Sequence, residues 1–576
     1  MFHYQAPLDE FDFVAHKVLR LPKLLSHLPE HRHVSPGLIR ATLEVAAELA
    51  QELLNLSPPT LHERSAVEEG LANTYRVFHE NGWPRLSRER AEGGLGFPRA
   101  ACTFFNEMLA SSNLAFSSLA KSREEIIECI QRSDDERVRT TYRTRLTNGE
   151  WLGTLCLREP QAGCNLERVS STATLQMDGT YLLSGTKVAM VDCTQDMVEN
   201  TVHLVLAREQ ECADTKPATL CLFAVPKYLE SGELNGVSVS SLSPRTTGAS
   251  DSTCTLQFQR AKGHLVGDLQ RCIAVIRPKL CRTQLALGIQ AVGLAETTYQ
   301  NALRLTQDCY RVPELSWMVH PEPVARPALN SIDIKVSLAQ LRLFIEPTRL
   351  LCTWVSTLLD LAEGASDLQN RGQASQLLEQ LAPIVESYVL EESTKRIAAA
   401  LPLASSISAE IRWGMERLVT ESALSKIIYE SSTRSQGLHS TAERSSPLTE
   451  MNGLALALRS QLQQHPAFEE QMASTLNRWV DEMEHLASHI QLTYELTRDL
   501  RSLITADSQQ LMGTILFGYL WAWIATAAIT SGEFSDSKPA LARLYFSEAE
   551  CLIPILVDRL RRCGARLSQL SQVKVC

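Results

Sequence analysis

Apolar residues recur at spacings of three and four through GLIRATLEVAAELAQELLNL, the period of an amphipathic helix, and this texture dominates from about residue 36 to residue 148. The glycine-bearing stretch ERAEGGLGFPRAA interrupts it. No strand pattern precedes GGLG and no lysine follows it, so it reads as a turn between helices and not as a phosphate loop. Between Trp151 and Gly267 the period shortens. TATLQMDGTYLLSGTKVAMV divides into two β-rich runs around Asp178-Gly179, a strong hairpin signal, and HLVLARE, TLCLFAVPK, GVSVSSL and STCTLQFQ add four more short strands. Helical periodicity returns near Leu269. In GIQAVGLAETTYQNALRLTQDCYR one stripe holds Ile289, Val292, Leu294 or Ala295, Tyr299 and Leu303. Pro313, Pro321, Pro323 and Pro327 then mark a loop, and helical segments run on to the C-terminus with one polar break at residues 363–374.

The order predicts a mostly α protein with a central β domain. Its expected parts are an N-terminal extension (1–35), a helical domain (36–150), the β domain (151–268), a second helical domain (269–450) and an appended helical domain (451–576). With 576 residues, 44% hydrophobic and 21% charged, the chain has ample material for packed cores and is not a disordered one. A formal charge of -10 argues against general binding to nucleic acid or anionic membranes.

The fifteen cysteines are scattered with no CxxC pair, which argues against a zinc site or disulfide scaffold and leads us to expect a reducing cytoplasm. MFHYQAPLDEFDF carries acids where an export signal has a basic patch and an apolar run. Leu511–Thr530 has no charge and is long enough to span a bilayer. Thr514, Tyr519, Trp521 and Trp523 dilute it and no strong Lys/Arg cluster flanks it, so we expect a buried helix and no transmembrane segment. His31 and His33, and His485 and His489, lack a third ligand, and no metal site is expected.

Particular words within this order resemble one family. WLGTLCLREPQAGCNL is similar to the acyl-CoA dehydrogenase signature, in which a strand ends in a TEPxAGSD turn, and DGTYLLSGTKVAM to the hairpin that follows it. ENTVHLVLARE, LCLFAVPKYL, NGVSVSSL and AKGHLVGD continue the likeness. LALGIQAVGLAETTYQNAL resembles the first helix of the C-terminal unit, and SKIIYESSTRSQGLHS the catalytic IYEGTxxIQ segment. The opening YQAPLDEFDFVAHKVL and the tail after Met451 resemble a large subfamily.

The resemblance implies a helical domain, a β-barrel-like domain, a four-helix C-terminal unit and an extra C-terminal helical domain. It implies FAD-dependent α,β-dehydrogenation of an acyl thioester on CoA or a carrier protein, with Glu430 as the base that removes the α-proton. It places the flavin against Leu157, Arg158, Met190, Val191 and Gln436, and the acyl thioester against Cys164 and Gln284, with Arg282 as the alternative if the register slips. It also implies a homo- or hetero-oligomer.

Several positions depart from the family pattern. Arg158 stands where the family has a threonine against the flavin ring, Cys164 where it has a serine, Asn165 for aspartate, Val191 for Ser/Thr, and Ser431 for the glycine after the base. LPLASSISAEIRW has no glycine pair near residues 405–407, where the family's backbone approaches the FAD pyrophosphate. Turn and scaffold residues persist: Glu159-Pro160, Gly163, Gly185, Lys187, Gly288 and Gly293. We therefore expect poor FAD binding by the isolated chain. The alternatives are a noncatalytic binding or scaffolding homologue, or the degenerate subunit of a mixed oligomer.

Overall fold

Alternating runs too short for helices become seven strands, enclosed between two helical regions in the computed structural model. They are β1 (Trp151–Cys156), β2 (Thr172–Leu175), β3 (Tyr181–Met190), β4 (Asn200–Gln210), β5 (Leu220–Pro226), β6 (Val237–Leu242) and β7 (Thr253–Asp268). The structure describes residues 3–55, 64–88, 90, 94–114, 116–117, 126–127, 129–131, 133–161, 168–190, 198–210, 219–242, 253–268, 280–308, 310–311, 326–327, 329, 331–404, 416, 418–419, 446–464 and 468–572.

The sheet returns on itself. β4 pairs with β2 and β5, β2 with β3, β3 with β7, and β7 with β5, so five strands close a barrel. β1 lies parallel to β4, ahead of β2 on the same edge, and the Arg158–Val188 bridge joins its end to β3, while β6 pairs with β7. Closure leaves these five strands without a free edge. The predicted hairpin joins β2 and β3: Gly179 takes a left-handed φ of 79°, and Thr180 N donates to Asp178 Oδ1 at 3.0 Å. β4 buries both faces, as its period of two requires. Val205 and Ala207 fill the barrel with Leu183, Phe223 and Phe258, while Leu204 and Leu206 pack outward on Ile126, Ile130 and Val138.

The helices before the barrel are α1 (Leu8–Asp12), α2 (Leu21–Leu25), α3 (Pro36–Asn55), α4 (Arg64–Glu80), α5 (Arg99–Ser112) and α6 (Arg143–Asn148). After it come α7 (Leu280–Asp308), α8 (Ile332–Gly364), α9 (Leu368–Ile384) and α10 (Leu390–Ala400), the last two joined through a wider π-type turn at Val385–Val389. The appended helices are α11 (Pro447–Gln464), α12 (Glu470–Thr493), α13 (Arg498–Ser531), α14 (Ser537–Arg561) and α15 (Cys563–Gln572). The predicted stripe on α7 is inside: Ile289, Val292, Leu294 and Ala295 are all buried.

Two local readings change. The polar break is narrower than residues 363–374, because α8 runs to Gly364 and α9 starts at Leu368, where Asp367 caps it by accepting from Gln369 N at 3.1 Å. Pro327 is not simply loop: Arg326–Pro327 pairs with Tyr310–Arg311 as a two-residue ladder, while Pro313, Pro321 and Pro323 lie outside the described residues.

The apolar run Leu511–Thr530 belongs to α13, a helix long and apolar enough to cross a membrane, yet 83% of its most apolar window is buried inside the protein. Two of its polar groups are met from neighbouring helices. Trp521 Nε1 donates to the Leu343 carbonyl at 3.1 Å, and Tyr545 Oη donates to the carbonyl of Thr514 at 2.8 Å.

Candidate functional site

β1 delivers Leu157, Arg158 and Glu159 to one side of β3. Val188 N donates to the Arg158 carbonyl at 2.9 Å, so strand pairing fixes the backbone of Arg158. Leu157 is half-buried against the apolar cluster of Ile126, Ile130 and Val138. Arg158 is half-exposed. Met190 closes β3, its backbone paired with Thr253.

The next residue is a structural anchor. Glu159 Oε1 accepts from Lys187 Nζ at 2.8 Å, from Ser171 N at 2.9 Å and from Ser171 Oγ at 2.6 Å. Its other oxygen accepts from Ser170 N at 2.8 Å and Gln161 Nε2 at 2.6 Å. Both side chains of the pair are 0% exposed. Burial alone would push the Glu159 carboxyl up, but the bonds from Lys187, Ser171 and Ser170 outweigh it and hold the group at about 2. This carboxylate is used up as an acceptor and is no acid–base catalyst. Within the barrel, His203 Nδ1 and Thr154 Oγ1 are 2.7 Å apart, and burial, with the Lys227 charge, pushes the imidazole down to about 4.

Gln284 is buried in the first turns of α7, where its Nε2 donates to Glu386 Oε2 at 2.5 Å. Arg282, the alternative substrate contact, donates to Glu363 Oε1 at 2.5 Å. Arg99 joins the same cluster, 3.2 Å from Asp360 and 2.7 Å from Glu363. Gly288, one turn beyond Gln284, lets α7 lie directly against its neighbours: a Cβ there would stand 2.4 Å from Val385 Cγ1 and 2.9 Å from Cys352 Sγ. Four residues on or near α7 were not singled out from sequence. Glu107, Glu296 and Arg349 form a buried triad, with Arg349 Nη2 2.6 Å from Glu107 Oε1 and 2.7 Å from Glu296 Oε2, and Asp360 lies at the bundle end. An arginine inside LFIEPTRLLCTW was the available signal, since a charge in an apolar helical run needs a buried partner.

Glu430, Cys164, Val191 and Gln436, and the stretch 405–407, lie outside the described residues. Among the described residues no group of His, Cys, Asp and Glu is arranged to hold a metal ion. The described positions assigned to FAD do not fit a firmly held flavin ring. The Leu157 side chain has no hydrogen-bonding group and is packed on helices, Arg158 has a charged guanidinium where the resemblance expects a hydroxyl, and its carbonyl already accepts from Val188 N.

No family model matches the chain. It is 28% identical over 425 residues to a 3-methylmercaptopropionyl-CoA dehydrogenase of Ruegeria pomeroyi, a span covering 72% of this chain and 70% of that protein. A structure of an acyl-CoA dehydrogenase complexed with FAD from Bacillus anthracis superposes with a TM-score of 0.69 over 92% of each chain at 16% identity. Caenorhabditis elegans ACDH-11 in complex with C11-CoA gives a TM-score of 0.65 over 95% of this chain and 91% of that one, at 15% identity.

Proposed function

We propose that this chain, which has the acyl-CoA dehydrogenase fold and resembles that family in sequence, recognises acyl thioesters on CoA or a carrier protein, uses Glu430 as α-proton base, and does not retain FAD by itself. The observation that carries the reading is Arg158. It sits with its backbone locked to β3 at the place where the family resemblance puts a small hydroxyl against the flavin ring. A guanidinium there is larger than a threonine and permanently charged. If bound, FAD would supply the acceptor for hydride from the acyl β-carbon; only the proton-transfer half is assigned to the residues of this chain.

That half is chemically self-contained. The α-proton of a thioester is weakly acidic, so the base must lie close to it and be poorly solvated. Glu430 follows Ile428-Tyr429 in sequence, at the place that the family's IYEG segment gives its base. The carboxylate takes the proton, the C–H electron pair becomes the enolate, and return of a solvent proton gives back the thioester with its α-hydrogen exchanged.

The test is the loss of α-hydrogen signal from a medium-chain acyl-CoA incubated in D2O. Wild-type protein is expected to exchange, and Glu430→Gln, nearly isosteric but unable to take the proton, is expected to slow exchange by roughly 100-fold or more with an unchanged circular dichroism spectrum. Unaltered exchange in the variant would move the base elsewhere.

A further inference from the structure

A groove of about 1390 Å³ opens on the face of α8 that points away from α7. Arg349, Cys352, Ser356 and Asp360 occupy the inner face, toward α5 and α7. Trp354, Leu358 and Leu361, offset from these by helical spacing, form part of the groove floor with Leu377 of α9 and Trp523 of α13. The space therefore differs from the region around Gln284 and the end of β1. It exceeds the roughly 300–1,000 Å³ of an ordinary small-molecule site.

The basic residues are confined to one wall. His16, Lys17, Arg20, Lys23 and His27, all from the segment leading into and through α2, line that side. The facing wall presents uncharged amides, Gln373, Gln376 and Gln380, and Glu379 is the lining carboxylate among the described residues. Lys17 is paired with Glu533 at 2.9 Å. Arg20 and Lys23 are exposed and make no ion pair among the described residues. Arg20 also holds a left-handed backbone, φ 51° and ψ 46°, at the turn that redirects the chain into α2. That conformation is uncommon for a non-glycine residue, and here it accompanies a segment whose basic residues are gathered along the groove.

We propose that this groove binds a single-chain anionic amphiphile, its alkyl chain on the Trp354–Leu358–Trp523 floor and its carboxylate or phosphate head on Arg20 and Lys23. An apolar floor with cations on one wall matches a molecule that is apolar along its length and negative at one end. A polyanionic partner would call for charge on more than one wall.

Trp354 and Trp523, with ring centroids 5.4 Å apart, supply the readout. Full-length protein is titrated with dibrominated stearate, whose bromines quench tryptophan on contact. Saturable quenching is expected. It should shrink in the Trp354→Phe/Trp523→Phe variant and require roughly tenfold more ligand in Arg20→Glu/Lys23→Glu, whose two exposed positions leave the fold intact by circular dichroism. Competition by hexadecyl phosphate as well as by palmitate identifies a general anionic head; competition by palmitate alone identifies a carboxylate site. No quenching, or quenching unchanged by charge reversal, would overturn the proposal. So would sedimentation showing that the groove is covered by a second copy which Arg20→Glu/Lys23→Glu releases without any loss of stearate binding.

Discussion

Lys187 donates to Glu159 across 2.8 Å with both side chains sealed from solvent, while the adjoining Arg158 is half-exposed. Two neighbouring positions thus carry opposite messages. The ion pair ties β3 to the segment leaving β1, and five further donors from Gln161, Ser170 and Ser171 complete the carboxylate's shell. The residue beside it is a large cation at the position that the family resemblance sets against the flavin.

Removing one partner from this pair strands a buried charge. Lys187→Met is expected to lower the unfolding free energy by roughly 3–5 kcal/mol, read from urea titration. Adding Glu159→Gln is expected to recover part of the loss. A change within experimental error for Lys187→Met would show that the hydroxyl and backbone donors satisfy Glu159 alone.

Acid sensitivity should appear before ordinary carboxylates titrate. His203 is held neutral in the fold, its affinity for protons lowered by burial and by Lys227 from 6.5 to about 4. Below 6.5 the unfolded chain takes up a proton that folded His203 refuses, so its contribution is complete above 6.5 and falls away as the pH drops toward 4. His264 is lowered in the same direction, by burial first, and adds to the slope. His203→Gln keeps a hydrogen-bonding group beside Thr154 and should flatten urea midpoints across this window, by up to about 1.4 kcal/mol per pH unit. An unchanged slope would assign the acid sensitivity to other groups.

Close packing at the start of the helical bundle has a sharp test in Gly288. The Cβ of Gly288→Ala would fall 2.4 Å from Val385 Cγ1 and 2.9 Å from Cys352 Sγ, so α7 must move or α9–α10 must yield. The expected cost is roughly 1–3 kcal/mol in thermal or urea unfolding. Val385→Ala in the same chain should return much of it, because it removes the atom met at the shorter distance. Equal stability of Gly288→Ala and wild type would contradict the packing.

Much of the architecture was legible because periodicity is local. Asp178-Gly179 marks its own turn, β4 announces its two faces by alternation, and the stripe on α7 needs nothing beyond helical spacing. Barrel closure was implied by the family resemblance but not by the strands themselves, since β4–β2 and β5–β7 pairings join segments far apart in sequence. Arg282 and Gln284 were singled out by the resemblance, yet their partners Glu363 and Glu386 come from other helices and could not be read from the local pattern. The groove combines residues from the N-terminal segment and four helices, and its basic wall appears in sequence only as scattered charges. Arg158 and Val191 were visible as departures because a turn motif has fixed positions. Glu430 rests on its motif and lies outside the described residues.

The central claim is that the fold is retained while FAD retention by the isolated chain is not, and an absorption spectrum with equilibrium dialysis against FAD tests it most directly. The account predicts a colourless purified protein that takes up substoichiometric FAD, and tighter binding in Arg158→Thr/Val191→Thr, by roughly tenfold for each 1.4 kcal/mol of restored hydrogen bonding. A yellow wild-type protein holding one FAD per chain after dialysis would contradict it.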